Sequence, residues 1–245
     1  LGPHAQRARL EYALLAGRRF GRHPVVMEVG RRAATHDQQD DAQSLRLPKV
    51  QLDADAKRGD IGTTMDGYAA AWLEPGSPLE ADAVTLSPYL GPDSLYATIT
   101  TAIRREKGVF VLAATSNPEG LPVQTALTRD DSAPGDESVA ARVAREIGSL
   151  NIGLPGALGS AGLVVGATVD RAAFGLRDVI LAGTPILAPG FGAQGAQPAD
   201  LTRLFGYVAT NVVASESRSI LAVGPDRLET RIEERAALYP RTSHD

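Results

Sequence analysis

Leu52-Asp53-Ala54-Asp55-Ala56-Lys57-Arg58-Gly59-Asp60-Ile61-Gly62-Thr63-Thr64 is a strand-like run that ends in charge and leads into a helix-like run. Residues two apart on a strand face the same side. Asp55 and Lys57 therefore point together into one cavity, and Asp60 follows in the turn. Three charged groups near a strand end are unfavourable unless they pair, because a desolvated charge needs a partner. Such a cluster is a candidate site with a physical rationale. The alternative is a surface turn with a solvated salt bridge, which contributes little. Lysine usage weighs toward chemistry. The chain has three lysines, Lys49, Lys57 and Lys107, against 22 arginines, and an ammonium can give up a proton where a guanidinium effectively cannot.

Working outward, the same strand-then-helix unit repeats. Ala81–Ser87, Gly108–Thr115, Gly162–Gly166, Pro185–Ala188 and Tyr207–Val213 read as strands, joining the one that ends at Asp55. Short continuous apolar runs are what parallel strands buried on both faces look like. Between them, Val139, Val143, Ile147 and Leu150 recur at helical spacing behind a cap at Asp136, and Tyr68, Ala71 and Trp72 recur after Asp60. Six such units at roughly 32 residues each match the length per unit of a (β/α)8 barrel of about 250 residues. The alternation predicts a parallel α/β fold.

Residues 1–49 break this pattern. The first fifty positions carry nine Arg/Lys against five Asp/Glu and three of the four histidines, while the rest of the chain has 16 against 24. Only His23–Val29 looks like a strand there, so the barrel is expected to be incomplete or altered over its first two units. We expect two parts: an atypical segment over residues 1–49 and a barrel body over residues 50–240.

The 245 residues, 43% hydrophobic, suffice for a sizeable core. A net charge of -4 and the lack of a basic stripe interleaved with aromatics give no sign of a nucleic-acid partner. No apolar run approaches the roughly 20 residues of a membrane span, and Leu10–Ala16, which includes Glu11, is too short for a signal peptide. Without cysteine there is no disulfide, thiolate chemistry or cysteine-zinc site. All four histidines (His4, His23, His36, His244) lie near the chain ends, which excludes a histidine triad or histidine-metal site over the long middle.

Barrel active sites are built just past strand C-termini, and further segments fall there. Thr115-Ser116-Asn117-Pro118-Glu119-Gly120 offers hydroxyl and amide groups, or is a plain turn. Pro189-Gly190-Phe191-Gly192-Ala193-Gln194-Gly195 can turn backbone N–H groups toward a phosphate. Ser215-Glu216-Ser217-Arg218-Ser219 follows the last strand and opens a helix, placing Arg218 at an N-terminus that favours anions. These last two are the loops after strands seven and eight, where barrels often bind phosphate. Gly166-Ala167-Thr168 reads as structural.

The run Asp55–Thr64 resembles the signature of orotidine 5'-phosphate decarboxylases, in the subgroup of mycobacteria and relatives. The resemblance continues in family order through Ser87–Gly91, Ala114–Gly120, Val164–Thr168, Pro189–Gly195 and Ser217–Leu221, and covers about three quarters of the chain. It implies a TIM barrel and a cofactor- and metal-free lyase acting on orotidine 5'-phosphate to give uridine 5'-phosphate. It further implies a cytoplasmic homodimer with a shared site and no membrane or nucleic-acid partner. It makes Lys57 the proton donor to C6 of the pyrimidine, and Asp55 the group that holds the lysine and crowds the substrate carboxylate. Asp60 and Thr64 would reach the neighbouring subunit's site, Ser116 would contact the pyrimidine amide, and Gln194 and Arg218 would grip the 5'-phosphate.

The family's first-strand Gly-x-Asp-Pro-like and second-strand Lys-Pro-Gln-like segments have no counterpart here. Glu28 and Lys49 are poor stand-ins, and residues 1–49 read as a deletion joined to a frame-shifted or otherwise replaced segment. Two other functions fit this sequence: an inactive remnant that binds nucleotide phosphate, and a magnesium-dependent sugar-phosphate decarboxylase or aldolase-like barrel. The Ile61–Thr64 run and the Gln194 loop argue against the magnesium-dependent reading.

Overall fold

Alternating inward and outward positions on successive strands set the architecture. The computed structural model describes residues 14–16, 25–26, 50–129, 136–154 and 158–239. Eight strands form a closed ring: β1 (Leu14–Ala16), β2 (Val25–Val26), β3 (Val50–Arg58), β4 (Ala83–Leu86), β5 (Gly108–Ala114), β6 (Ala161–Val165), β7 (Ile186–Pro189) and β8 (Val212–Ser215). From β3 to β8 each neighbour pairs in parallel, as does β8 with β2. β1 runs antiparallel to both β2 and β3. The fold is an α/β barrel that closes but is altered over its first two units, where β1 and β2 span three and two residues. The strand expected over His23–Val29 is present as Val25–Val26, while Glu28 and Lys49 lie outside the described residues.

Three expectations are corrected. β3 continues to Arg58 rather than ending at Asp55, so Lys57 is a strand residue. The last strand is Val212–Ser215, not Tyr207–Val213, because Gly206–Asn211 winds as a 3-10 turn. Val208 and Ala209 are apolar because they pack on the core, not because they extend. Helix Val139–Ser149 is capped by Ser138, not Asp136: the Ser138 hydroxyl accepts from Ala141 N–H at 3.0 Å and donates to the Phe174 carbonyl at 2.6 Å. Residues 137–138 pair with 127–128 in a small hairpin outside the ring, which brings Ser138 to the helix start.

Two apolar layers hold the ring. The larger lies between strands and helices, with Leu86, Leu163 and Ile186 packed near Leu73, Ile99 and Ile147, each fully buried side chain contributing roughly 1.5–3 kcal/mol. Ala54 and Met65 belong to this outer layer, so Asp53, Asp55 and Lys57 alternate to the opposite, inner side of β3. The smaller layer fills the barrel with Ala83, Phe110, Val164, Leu187 and Val213. Gly162 makes room there, since a Cβ would lie 2.5 Å from the Phe110 ring. Among the described residues, no helix is long and apolar enough to cross a membrane.

Candidate active site

At the end of β3 the register against β4 shifts between Ala54 and Arg58, and Lys57 takes a left-handed backbone with φ +47°. For a lysine that conformation costs on the order of 1–3 kcal/mol. A bulge of this kind re-aims a side chain at the rim of a barrel. Lys57 Nζ forms an ion pair with Asp55 Oδ2, with the acid largely buried and the lysine half exposed. Thr85 on β4 ties the pair down. Its hydroxyl accepts from Lys57 N–H at 2.9 Å and faces Asp55 Oδ1 at 3.0 Å, where it can donate. Gly59 lets the strands approach, because a Cβ there would run into the Ser87 carbonyl. Ser87 N–H donates to Arg58 O at 2.8 Å across the same gap.

Thr85 was not singled out from the sequence, since only cross-strand register reveals it. Asp53 was missed too. It sits two residues before Asp55 and is fully buried, and among the described residues neither carboxylate oxygen is hydrogen-bonded. Burial, reinforced by the charge of Asp55 and opposed by that of Lys57, pushes its carboxyl up to about 7.

The remaining predicted residues stand at the same mouth, because every parallel strand delivers its C-terminal loop to one end of the ring. Asp60 accepts from Ile61 N–H at 2.8 Å, and Thr64 lies exposed in the first turn of helix Gly62–Leu73. Among the described residues, neither is hydrogen-bonded to the Asp55–Lys57 pair. Ser116 is exposed on a loop that closes on itself: Thr115 N–H donates to Gln124 at 2.9 Å and the Thr115 hydroxyl to Asn117 at 2.6 Å. Gly166 and Ala167 are buried and donate their N–H groups to Ala114 and Pro189, which fits the structural reading.

Gln194 and Arg218 come together. Both line a cleft of about 140 Å³ whose wall is completed by Pro189, Gly190, Phe191, Ala193, Ser215 and Ser217. Arg218 opens a helix of only four residues. The helix-end field expected from the sequence is therefore weak, and the guanidinium itself carries the positive charge. The mouth thus holds a strained ammonium–carboxylate pair on β3 and a cationic, hydroxyl-lined cleft after β7 and β8. That arrangement can take a ligand with an anion at one end and place a proton donor at the other.

Relatives of this chain share the family assignment suggested by these motifs. It is 50% identical over 182 residues to orotidine 5'-phosphate decarboxylase of Salinispora arenicola, which covers 74% of this chain and 62% of that protein. It is 42% identical over 202 residues to the Corynebacterium glutamicum enzyme of the same name, covering 81% of this chain and 69% of the other. A crystal structure from Streptomyces avermitilis, described as an orotidine 5'-phosphate decarboxylase, superposes with a TM-score of 0.72 at 44% identity over 81% of this chain and 67% of that one. The chain spans less than two thirds of the Salinispora protein's length. With the family model matching residues 9–229, this chain belongs to the orotidine 5'-phosphate decarboxylase / HUMPS family.

Proposed function

We propose that this chain decarboxylates orotidine 5'-phosphate to uridine 5'-phosphate in de novo pyrimidine biosynthesis, without a cofactor. The observation that carries this reading is the Asp55–Lys57 pair, held by Thr85 at the same barrel mouth as the Gln194–Arg218 cleft. With the phosphate in that cleft, the pyrimidine carboxylate meets Asp55. Its repulsion is relieved as the C6–carboxyl bond breaks and carbon dioxide leaves. The electron pair left on C6 is stabilised by the fixed ammonium of Lys57, which then transfers a proton to C6 and is reprotonated from solvent. Phosphate binding far from the breaking bond supplies energy for orientation and for closure of the Gln194 loop. Ser116 contacts the pyrimidine amide.

The same reading makes the enzyme a cytoplasmic homodimer in which Asp60 and Thr64 complete the partner's site. Exposed apolar side chains in the loops after β3 and β4, Ile61 and Tyr89 at 63% and 84% exposure, support such a contact. Residues 1–49 are read as a replaced segment in place of the first two family units. Comparison of the three frames of the coding DNA tests this. The activity test is the loss of orotidine 5'-phosphate absorbance with the purified chain. Turnover is the expected result; UMP binding without turnover identifies an inactive remnant instead.

A further inference from the structure

Behind the cleft lies a carboxylate with no role in the chemistry above. Glu216 is 1% exposed, between cleft residues Ser215 and Ser217, and among the described residues its donors come from two places. Arg235 grips it with both arms of the guanidinium, Nε to Oε2 at 2.8 Å and Nη2 to Oε1 at 2.9 Å, and the Tyr239 hydroxyl donates to Oε1 at 2.7 Å. Ser219, one residue past Arg218, donates to Oε2 at 2.5 Å. Arg231 adds a bond from Nε to the Ser219 carbonyl at 3.0 Å. Arg231, Arg235 and Tyr239 are spaced by four, so helix Leu228–Ala236 and the turn after it present one stripe to this loop.

The other phosphate loop is fastened to the same stripe. Phe191 meets the Tyr239 ring edge-on with centroids 5.6 Å apart. Gly192, at φ +70°, packs so closely that a Cβ would collide with Ser219 Oγ and lie 2.7 Å from Glu216 Oε2. The loop carrying Gln194 and the loop carrying Arg218 therefore share one anchor. Arg235, Tyr239 and Ser219 between them engage both Glu216 oxygens.

We propose that Glu216, Arg235 and Tyr239 are positioning residues that lock the two phosphate-gripping loops together through the C-terminal helix. Occupancy of the cleft and docking of that helix are then coupled, and the coupling is reciprocal. This deepens the decarboxylase reading and rests on its assignment of the cleft to the 5'-phosphate.

The test is titration of the whole chain and of Tyr239→Phe and Glu216→Gln with UMP, inorganic phosphate and uridine. Tyr239→Phe keeps the ring against Phe191 and removes only the hydroxyl, so it remains informative if Glu216→Gln unfolds. The expected result is about tenfold weaker UMP and phosphate binding in the variants, the size of one charge-assisted hydrogen bond, with uridine binding unchanged. In hydrogen exchange, UMP is expected to protect residues 228–236 of the wild-type chain and to protect them less in Tyr239→Phe. Folded variants that bind UMP and phosphate like wild type overturn the proposal. So does an equal loss for UMP and uridine, which marks a general structural role. A wild-type chain that binds phosphate but not UMP defeats the decarboxylase reading alone, and the phosphate titration still decides the anchor.

Discussion

Asp53 and Glu216 both expose almost no surface to water, Glu216 nearer the outside of the barrel, yet their surroundings push them in opposite directions. Glu216 is desolvated, but hydrogen bonds from Arg235, Ser219 and Tyr239 outweigh burial and hold its carboxyl below the usual range. Asp53 has no hydrogen bond among the described residues, and burial with the nearby charge of Asp55 pushes it up to about 7. Burial alone therefore does not set the state of a carboxylate; the donors brought to it do. The difference divides the mouth. The cleft after β7 and β8 is a satisfied network built to stay in place. The β3 side carries an orphan acid and a left-handed lysine, and such stored strain is common where chemistry is done.

The largest effect is expected at Glu216. Replacing it by alanine leaves the partly buried Arg235 without its partner beside a void, and losing one partner of a buried pair destabilises by up to about 3–5 kcal/mol; urea denaturation checks this. Asp53 should behave oppositely. Its folded-state value lies above that of the unfolded chain, so the folded state keeps a proton that the unfolded state has lost between about pH 4 and 7. Its contribution is most favourable below pH 4 and declines as pH rises to 7. Asp53→Asn should accordingly raise stability by a few kcal/mol at pH 8 and by less near pH 5. Denaturation midpoints at the two pH values decide it, and a gain independent of pH would break the contrast with Glu216.

Thr85→Val sharpens the comparison from the catalytic side. It strips the hydroxyl shared by Asp55 and the Lys57 N–H, with an expected loss of about 1–3 kcal/mol in stability or in the barrier to turnover. Parallel denaturation and turnover measurements apportion it. The smallest effect is that of strain. Lys57→Gly should be more stable than Lys57→Ala by about 1 kcal/mol, because only glycine takes positive φ freely; equal midpoints would remove strain from the account.

Much of this was legible in the sequence, for identifiable reasons. Parallel strands buried on both faces are written as apolar runs, so the runs Gly108–Thr115 and Pro185–Ala188 stood out, and the strands lie within one residue of them. Tyr207–Ala209 misled because apolar residues report burial, and a 3-10 turn packed on the core buries them as a strand does. Asp55 and Lys57 were readable from their spacing of two and Arg218 from its place at a helix start, while Gln194 was picked out only by the family resemblance. Thr85 and Asp53 were not. Thr85 acts only through its register opposite β3, and the isolation of Asp53 is a property of everything around it. Glu216 was visible beside Arg218, but its partners lie 19 and 23 residues further on.

The most direct test of the central claim is to measure orotidine 5'-phosphate turnover and UMP affinity in one preparation of Lys57→Ala beside the wild-type chain. We predict that turnover falls by at least about a thousandfold while UMP affinity holds to within a few-fold, because the Gln194–Arg218 cleft proposed to hold the phosphate is built elsewhere on the mouth. Retained turnover in Lys57→Ala would contradict the assignment of the proton donor and the account built on it.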